Sequence, residues 1–220
     1  SSDLAELAKL GIAPGQDFDP GKLDPQAANA IADAPKTGQA KIQAWSVDGI
    51  AAGDNQFTNG WMFSTKVGTY GTNYIQRAYI TWIGLGANLP EDAIYPTSEG
   101  PAQGQKYSGA NKYVMHFDKG QLPPVQGFWS LTMYDVPRYY LVDNPIDRYS
   151  LGDRSPGLRY GDDGSVTLYL QATSPGAERE ANWLPTAPSG PFRPMLRAYQ
   201  PGEAIISGSY PMPPIVRTDG

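Results

Sequence analysis

The sequence predicts a mainly β protein: an antiparallel, jelly-roll-like β-sandwich over residues 91–220, preceded by a small helical linker or subdomain over residues 1–90. Three observations carry that expectation. The spacing of apolar residues changes from about 3.6 to 2 near residue 93, which marks helices giving way to half-buried strands. Glycine (25) and proline (21) are abundant, as turn-rich chains require. Beyond residue 93, about six to eight short apolar-alternating runs are separated by turns and some long connections, the pattern of a sandwich.

The elements follow in order. Leu4, Leu7, Ala8 and Gly11 recur at three and four, which predicts a first helix ended by Gly11. Asp24-Pro25 places an N-cap and an N1 proline at the start of a second helix. Ala27, Ala28, Ile31, Ala40, Ile42, Ala44 and Trp45 give that helix an apolar side, and Pro35 and Gly38 predict a break within it. Tyr74, Ile75, Ala78, Tyr79, Trp82 and Ile83 form the broad stripe of a third helix, stopped by Gly84 and Gly86. The runs Tyr113–Phe117, Phe128–Tyr134, Tyr139–Val142, Val166–Leu170, Met195–Tyr199 and Ile205–Tyr210 read as strands. Residues 160–165 read as a hairpin turn, with glycine supplying positive φ. The proline-rich links at 122–125 and 189–192 are unsuited to central strands.

Composition excludes several functions. The formal net charge is −5, with 17 basic residues scattered among 22 acidic ones, so the chain lacks the concentrated positive surface that nucleic acid demands. Zero cysteines remove disulfides, thiolate nucleophiles and cysteine-ligated metal clusters. No apolar run reaches the length of a membrane span. One histidine and no cysteine cannot make a nitrogen- and sulfur-rich metal site; an oxygen-only calcium or magnesium site at Asp162-Asp163 is the lesser alternative to the plain turn that Gly164 favours. No metal and no cofactor is therefore expected. Gly84-Leu-Gly86 follows a helix rather than opening one, so it is no phosphate cradle. A serine-hydrolase elbow is absent, and Ser130 lies within a strand.

His116 is the only histidine and the only side chain whose ordinary titration falls near neutral pH. It alternates with Tyr113, Met115 and Phe117, while Ser130, Thr132 and Tyr134 alternate with Trp129, Leu131 and Met133. If those two polar faces meet, His116 shares a pocket with Ser130, Thr132, Tyr134 or Arg148. A structural histidine bonded at the sandwich surface is the competing expectation. Asp147 and Asp153 flank Arg148 and Tyr149, and Glu178 and Glu180 flank Arg179; such alternation reads as an ion-pair network more readily than as a glycosidase acid pair. Fourteen tyrosines and five tryptophans supply the amphipathic aromatics that line polar-ligand sites, although Trp82, Trp129 and Trp183 also suit core packing.

Five segments, in order, resemble a bacterial family. They are Tyr70-Gly-Thr-Asn-Tyr74 with Arg77, and Gly84-Leu-Gly-Ala-Asn88 with the run 91–96. Next come Lys119–Pro124 with Phe128-Trp-Ser-Leu-Thr-Met-Tyr-Asp135, and Asn144-Pro-Ile-Asp-Arg-Tyr149; the last is the run 174–185. The family is the domain-of-unknown-function family twelve-fourteen. The resemblance implies a C-terminal half of a secreted or periplasmic two-domain protein, whose preceding sandwich belongs to family twelve-fifty-four. That missing N-terminal domain is the expected partner, with a homo-oligomer as a further possibility. On this basis the chain is expected to bind a small-molecule or carbohydrate-like ligand through Tyr74, Arg77, Trp129, Ser130, Thr132 and Asp153, or to act structurally. The alternative is a hydrolase or lyase in which His116 is the general base and Tyr134 or Arg148 stabilises charge.

Overall fold

The computed structural model describes residues 2–102 and 105–218. The chain divides into two compact units, Ser1–Ser46 and Val47–Gly220. The N-terminal part carries helix α1 (Ser2–Lys9), a short 3-10 turn at Pro20–Lys22, and the start of helix α2 (Pro25–Ala51). The expected cap is present: the Asp24 carboxylate accepts from the backbone N–H groups of Gln26 and Ala27, both at 2.9 Å. The expected break at Pro35 and Gly38 is not: α2 runs on through both. Proline removes one intrahelical donor, and the alanine-rich turns on either side supply enough helix propensity to continue past it.

Two sheets build the second unit. The larger has the order β1-β2-β4-β10-β6-β7, from Gln56–Thr58, Trp61–Phe63, Thr97–Ser98, Phe192–Pro201, Val125–Asp135 and Ser150–Gly152, with β3 (Ala93–Ile94) also pairing β10. The smaller has the order β11-β5-β8-β9, from Ile215–Thr218, Lys112–Phe117, Val166–Gln171 and Trp183–Pro185. All strand pairs are antiparallel except β8 with β9. Helix α3 (Tyr74–Ile83) is capped by the Asn73 side chain, and α4 (Glu203–Ile206) is a single turn.

Alternation explains the core. Tyr113, Met115 and Phe117 of β5 and Val166, Leu168 and Leu170 of β8 share one apolar cluster with Trp129, Leu131 and Met133 of β6 and Phe192, Leu196 and Ala198 of β10. Phe117 meets Trp129 across the sheets at 5.3 Å between ring centroids, and Tyr113 meets Phe192 edge-on at 5.6 Å. The two sheets thus close face to face, and the intervening residues of each strand point away from the core.

Two strand expectations and one helical expectation change. Residues 139–142 form only an isolated bridge between Leu141 and Tyr134, because the Asp135 carboxylate accepts from Tyr140 N–H and pairs with Arg138, turning the chain. Ile205 and Ile206 lie in α4 rather than in a strand, their N–H groups donating to Gly202 O. Conversely, residues 56–63 form the β1–β2 hairpin inside the region expected to be helical. Its turn is Asn59-Gly60, with φ of 50° and 83°, the two-residue pair that matches strand twist.

Two predictions arise here. A Cβ at Gly152 would run into the Trp129 carbonyl and the Ser130 Cα of the paired strand. Gly152→Ala is expected to cost about 3 kcal/mol, read by urea unfolding; a cost indistinguishable from zero would contradict the β6–β7 register. Burial pushes the Tyr107 phenol up from 10.0 to about 12, against the lowering hydrogen bond with Ser98. The folded state favours the neutral phenol, so its contribution is whole below pH 10 and is lost as pH rises through about 12. Stability should fall over that window in the parent and less steeply in Tyr107→Phe; identical profiles would contradict this assignment.

Candidate functional site

The register of β6 against β10 sets what the outer face of the larger sheet carries. Tyr134 lies opposite Arg193, Thr132 opposite Met195, Ser130 opposite Arg197 and Phe128 opposite Tyr199. Because Trp129, Leu131 and Met133 face the core, these eight residues share the other side of the sheet. The outer position is not a bare surface: Thr132 is buried, and Ser130, Tyr134, Arg193, Met195, Arg197 and Tyr199 are all half-buried.

Arg197 is the centre of this face. It leans diagonally along the sheet, with Nη1 donating to Thr132 Oγ1 at 2.6 Å and Nη2 donating to the Tyr134 hydroxyl at 2.5 Å. Its guanidinium carbon lies 5.7 Å from the Tyr134 ring centroid. Among the described residues no carboxylate forms an ion pair with it. Arg193 differs: it pairs with Glu99 and lies 4.3 Å from the Tyr139 ring. Tyr79 of α3 stands near it, its phenol raised by burial while the Arg193 charge opposes the shift.

At the other end, Phe128 stacks on Tyr199 at 4.5 Å and Arg154 lies 4.6 Å over Phe128. Tyr95 meets Tyr199 edge-on at 6.1 Å, and Asn88 donates to the Tyr95 hydroxyl. Burial raises the Tyr95 phenol, and the Asn88 hydrogen bond and, to a smaller extent, the Arg197 charge lower it. The face therefore joins guanidinium groups, phenols and a threonine hydroxyl over a rigid two-strand floor.

The structure does not bring His116 to this face. His116 projects from the outer side of the smaller sheet, its Nδ1 2.8 Å from Thr167 Oγ1 and its Nε2 3.4 Å from Asp118. The expected pocket with Ser130, Thr132 or Tyr134 fails because both strands turn their apolar residues inward, sending the two polar faces to opposite sides of the sandwich. Thr167 also lines a small open cleft of ≈ 190 Å³ with Arg159, Tyr160, Tyr169 and Arg179. Arg148 is not in that cleft: its Nη1 donates to the carbonyls of Glu180 and Trp183, at 3.0 Å for the latter. His116→Ala is expected to change stability by less than about 0.5 kcal/mol, measured by thermal unfolding; a large loss would mean that the histidine is structural.

The remaining expected ligand residues separate as well. Trp129 is 2% exposed and packs in the core, so its ring is withdrawn from any ligand on the sheet surface. Asp153 accepts from Trp129 N–H at 3.0 Å and holds the β6 backbone. Tyr74 is exposed on the first turn of α3, and Arg77 lines a second cleft of ≈ 370 Å³ with Tyr70 and Thr81. Ser130, Thr132 and Tyr134 do come together, around an arginine that sequence reasoning passed over. Among the described residues no group of three His, Asp or Glu side chains converges as a metal site. Among the described residues no helix is long and apolar enough to cross a membrane.

Comparison with known proteins agrees with the resemblance. The family described as "Protein of unknown function (DUF1214)" matches residues 92–203, which span β3 through the start of α4. No curated protein matches the chain. Among solved structures, the VPA0106 protein from Vibrio parahaemolyticus is 28% identical over 98% of this chain and 50% of that one, with a TM-score of 0.67. An uncharacterised protein from Burkholderia cenocepacia is 13% identical over 99% of this chain and 49% of that one, with a TM-score of 0.38. The chain thus spans about half the length of the solved structures it matches.

Proposed function

We propose that this chain, which belongs to the DUF1214 family, is the small-ligand-binding half of a longer secreted or periplasmic protein, with its site on the outer face of the larger sheet. The observation that carries the reading is Arg197, a half-buried cation held by two hydroxyls and by no carboxylate among the described residues. Burying part of a charge is costly, and neutral partners recover only a fraction of that cost. A polar ligand laid against Arg197, Thr132 and Tyr134 would recover more of it, and the flanking phenols would shape it.

A hydrolase or lyase with His116 as base has less support, since His116 and Tyr134 project from opposite faces. The test is a screen of neutral sugars and small organic acids by thermal shift against the parent and Arg197→Met. At least one compound is expected to stabilise the parent and not the variant. Equal stabilisation of both by every active compound would overturn the site.

The same longer-chain reading bears on α3, whose end leaves Trp82, Ile83 and Leu85 more than half exposed. We expect a preceding domain to cover them. Sedimentation of the chain with a separately produced preceding domain should show association that Trp82→Ser weakens; association unaffected by that change would contradict this contact.

A further inference from the structure

The donors around Arg197 share one polarity. A guanidinium carries five N–H donors, and two of them are engaged by Thr132 and Tyr134. Each hydroxyl accepts from Arg197, so its own proton is turned toward a different acceptor. Three guanidinium N–H groups and two hydroxyl protons thus remain to be offered, so donors outnumber acceptors here. A sugar hydroxyl, which brings a proton of its own, matches such a site less well than a group that only accepts.

The charge count narrows the ligand further. Arg193 is neutralised by Glu99, whose other oxygen lies 3.7 Å from Lys106. Asp135 is paired with Arg138. Arg154 is exposed, at the Phe128 end of the face, with Nη2 donating to Gly127 O at 3.0 Å. Asp153 is occupied by Trp129 N–H. On this face, among the described residues, the half-buried charge left without an opposite partner is that of Arg197. Its planar fork suits a carboxylate, which it can meet with two parallel N–H donors. Beside it, the thioether of Met195 and the Tyr134 ring give apolar surface for a carbon body.

We propose that the site takes a small organic monocarboxylate, bound by Arg197 and by the hydroxyl protons of Thr132 and Tyr134; this rests on the reading of that face as the ligand site. The carboxylate replaces the missing counter-charge of Arg197, and the two hydroxyls close on its oxygens. Phenol and hydroxyl fix orientation, while Arg197 supplies most of the affinity.

The experiment is calorimetric titration of the whole chain with acetate and benzoate, each paired with its amide (acetamide, benzamide), and with methyl α-glucoside as a neutral sugar. At least one carboxylate is expected to bind about tenfold or more tightly than its amide. Arg197→Met should weaken that binding by about tenfold or more, and Tyr134→Phe and Thr132→Val by less. Arg197→Lys keeps the charge, loses the fork and should fall between parent and Arg197→Met, which guards against a folding defect in the methionine variant; circular dichroism checks the fold of each. Equal affinity for acid and amide, or unchanged carboxylate affinity in both Arg197 variants, would overturn the proposal. Binding of methyl α-glucoside with no carboxylate binding would overturn it and leave the broader ligand-site reading standing. Binding of none of the five compounds would count against both.

Discussion

Replacing Trp129 by alanine is expected to destabilise the protein by about 3–5 kcal/mol, the range for deleting a large aromatic side chain from a packed interior. Trp129 is 2% exposed and sits where the two sheets meet, with Phe117 of the smaller sheet 5.3 Å away. No neighbouring strand can move in to fill the gap, because Leu131 and Leu196 are themselves fully buried and held in register by the β6–β10 ladder. Urea unfolding monitored by circular dichroism gives the number. Trp129→Phe, which keeps a ring in place, should recover a substantial part of the loss. A cost below about 1 kcal/mol for the alanine variant would mean that Trp129 does not bridge the sheets.

Arg148→Ala is expected to cost about 2–3 kcal/mol, since hydrogen bonds from a charged donor to part-buried carbonyls are worth more than neutral ones. The Arg148 guanidinium ties its loop to the Glu180 and Trp183 carbonyls, where the 3-10 turn at Glu180–Asn182 passes into β9. Asn144 secures the same loop from within: its Oδ1 accepts from Arg148 N–H at 2.9 Å and its Nδ2 donates to Arg148 O at 3.0 Å. Arg148→Lys should restore little, because one ammonium cannot reproduce the spread of the fork. The signature run Asn144–Tyr149 is on this account a clasp. Loss of ligand binding with no loss of stability in Arg148→Ala would contradict that and return Arg148 to the chemistry.

Alternation made the inner faces legible. Tyr113, Met115 and Phe117, and likewise Trp129, Leu131 and Met133, had to face a core, because two-residue periodicity leaves no other arrangement. Sheet membership was not legible, since it depends on pairings between strands far apart in the chain, such as β2 with β4 and β10 with β6. That gap misplaced His116. Two strands that both bury their apolar sides share a polar surface only if they lie in one sheet, and β5 and β6 do not.

Arg197 was equally hidden: on the strand read from Met195 to Tyr199 it looked like any outward polar residue, and its importance comes from partners on β6. The Asn59-Gly60 hairpin, by contrast, carried a local signal in Phe57 and Trp61 on either side of the turn. The helical reading of the first 90 residues passed over it.

The most direct test of the Arg197 face is backbone amide mapping by nuclear magnetic resonance with the tightest-binding carboxylate of the calorimetric series. The largest shifts are expected on Ser130, Thr132, Tyr134, Met195, Arg197 and Tyr199, and they should vanish in Arg197→Met. Shifts confined to the cleft of Thr167, Arg159 and Arg179 beside His116, or to the cleft of Tyr70 and Arg77, would contradict that site.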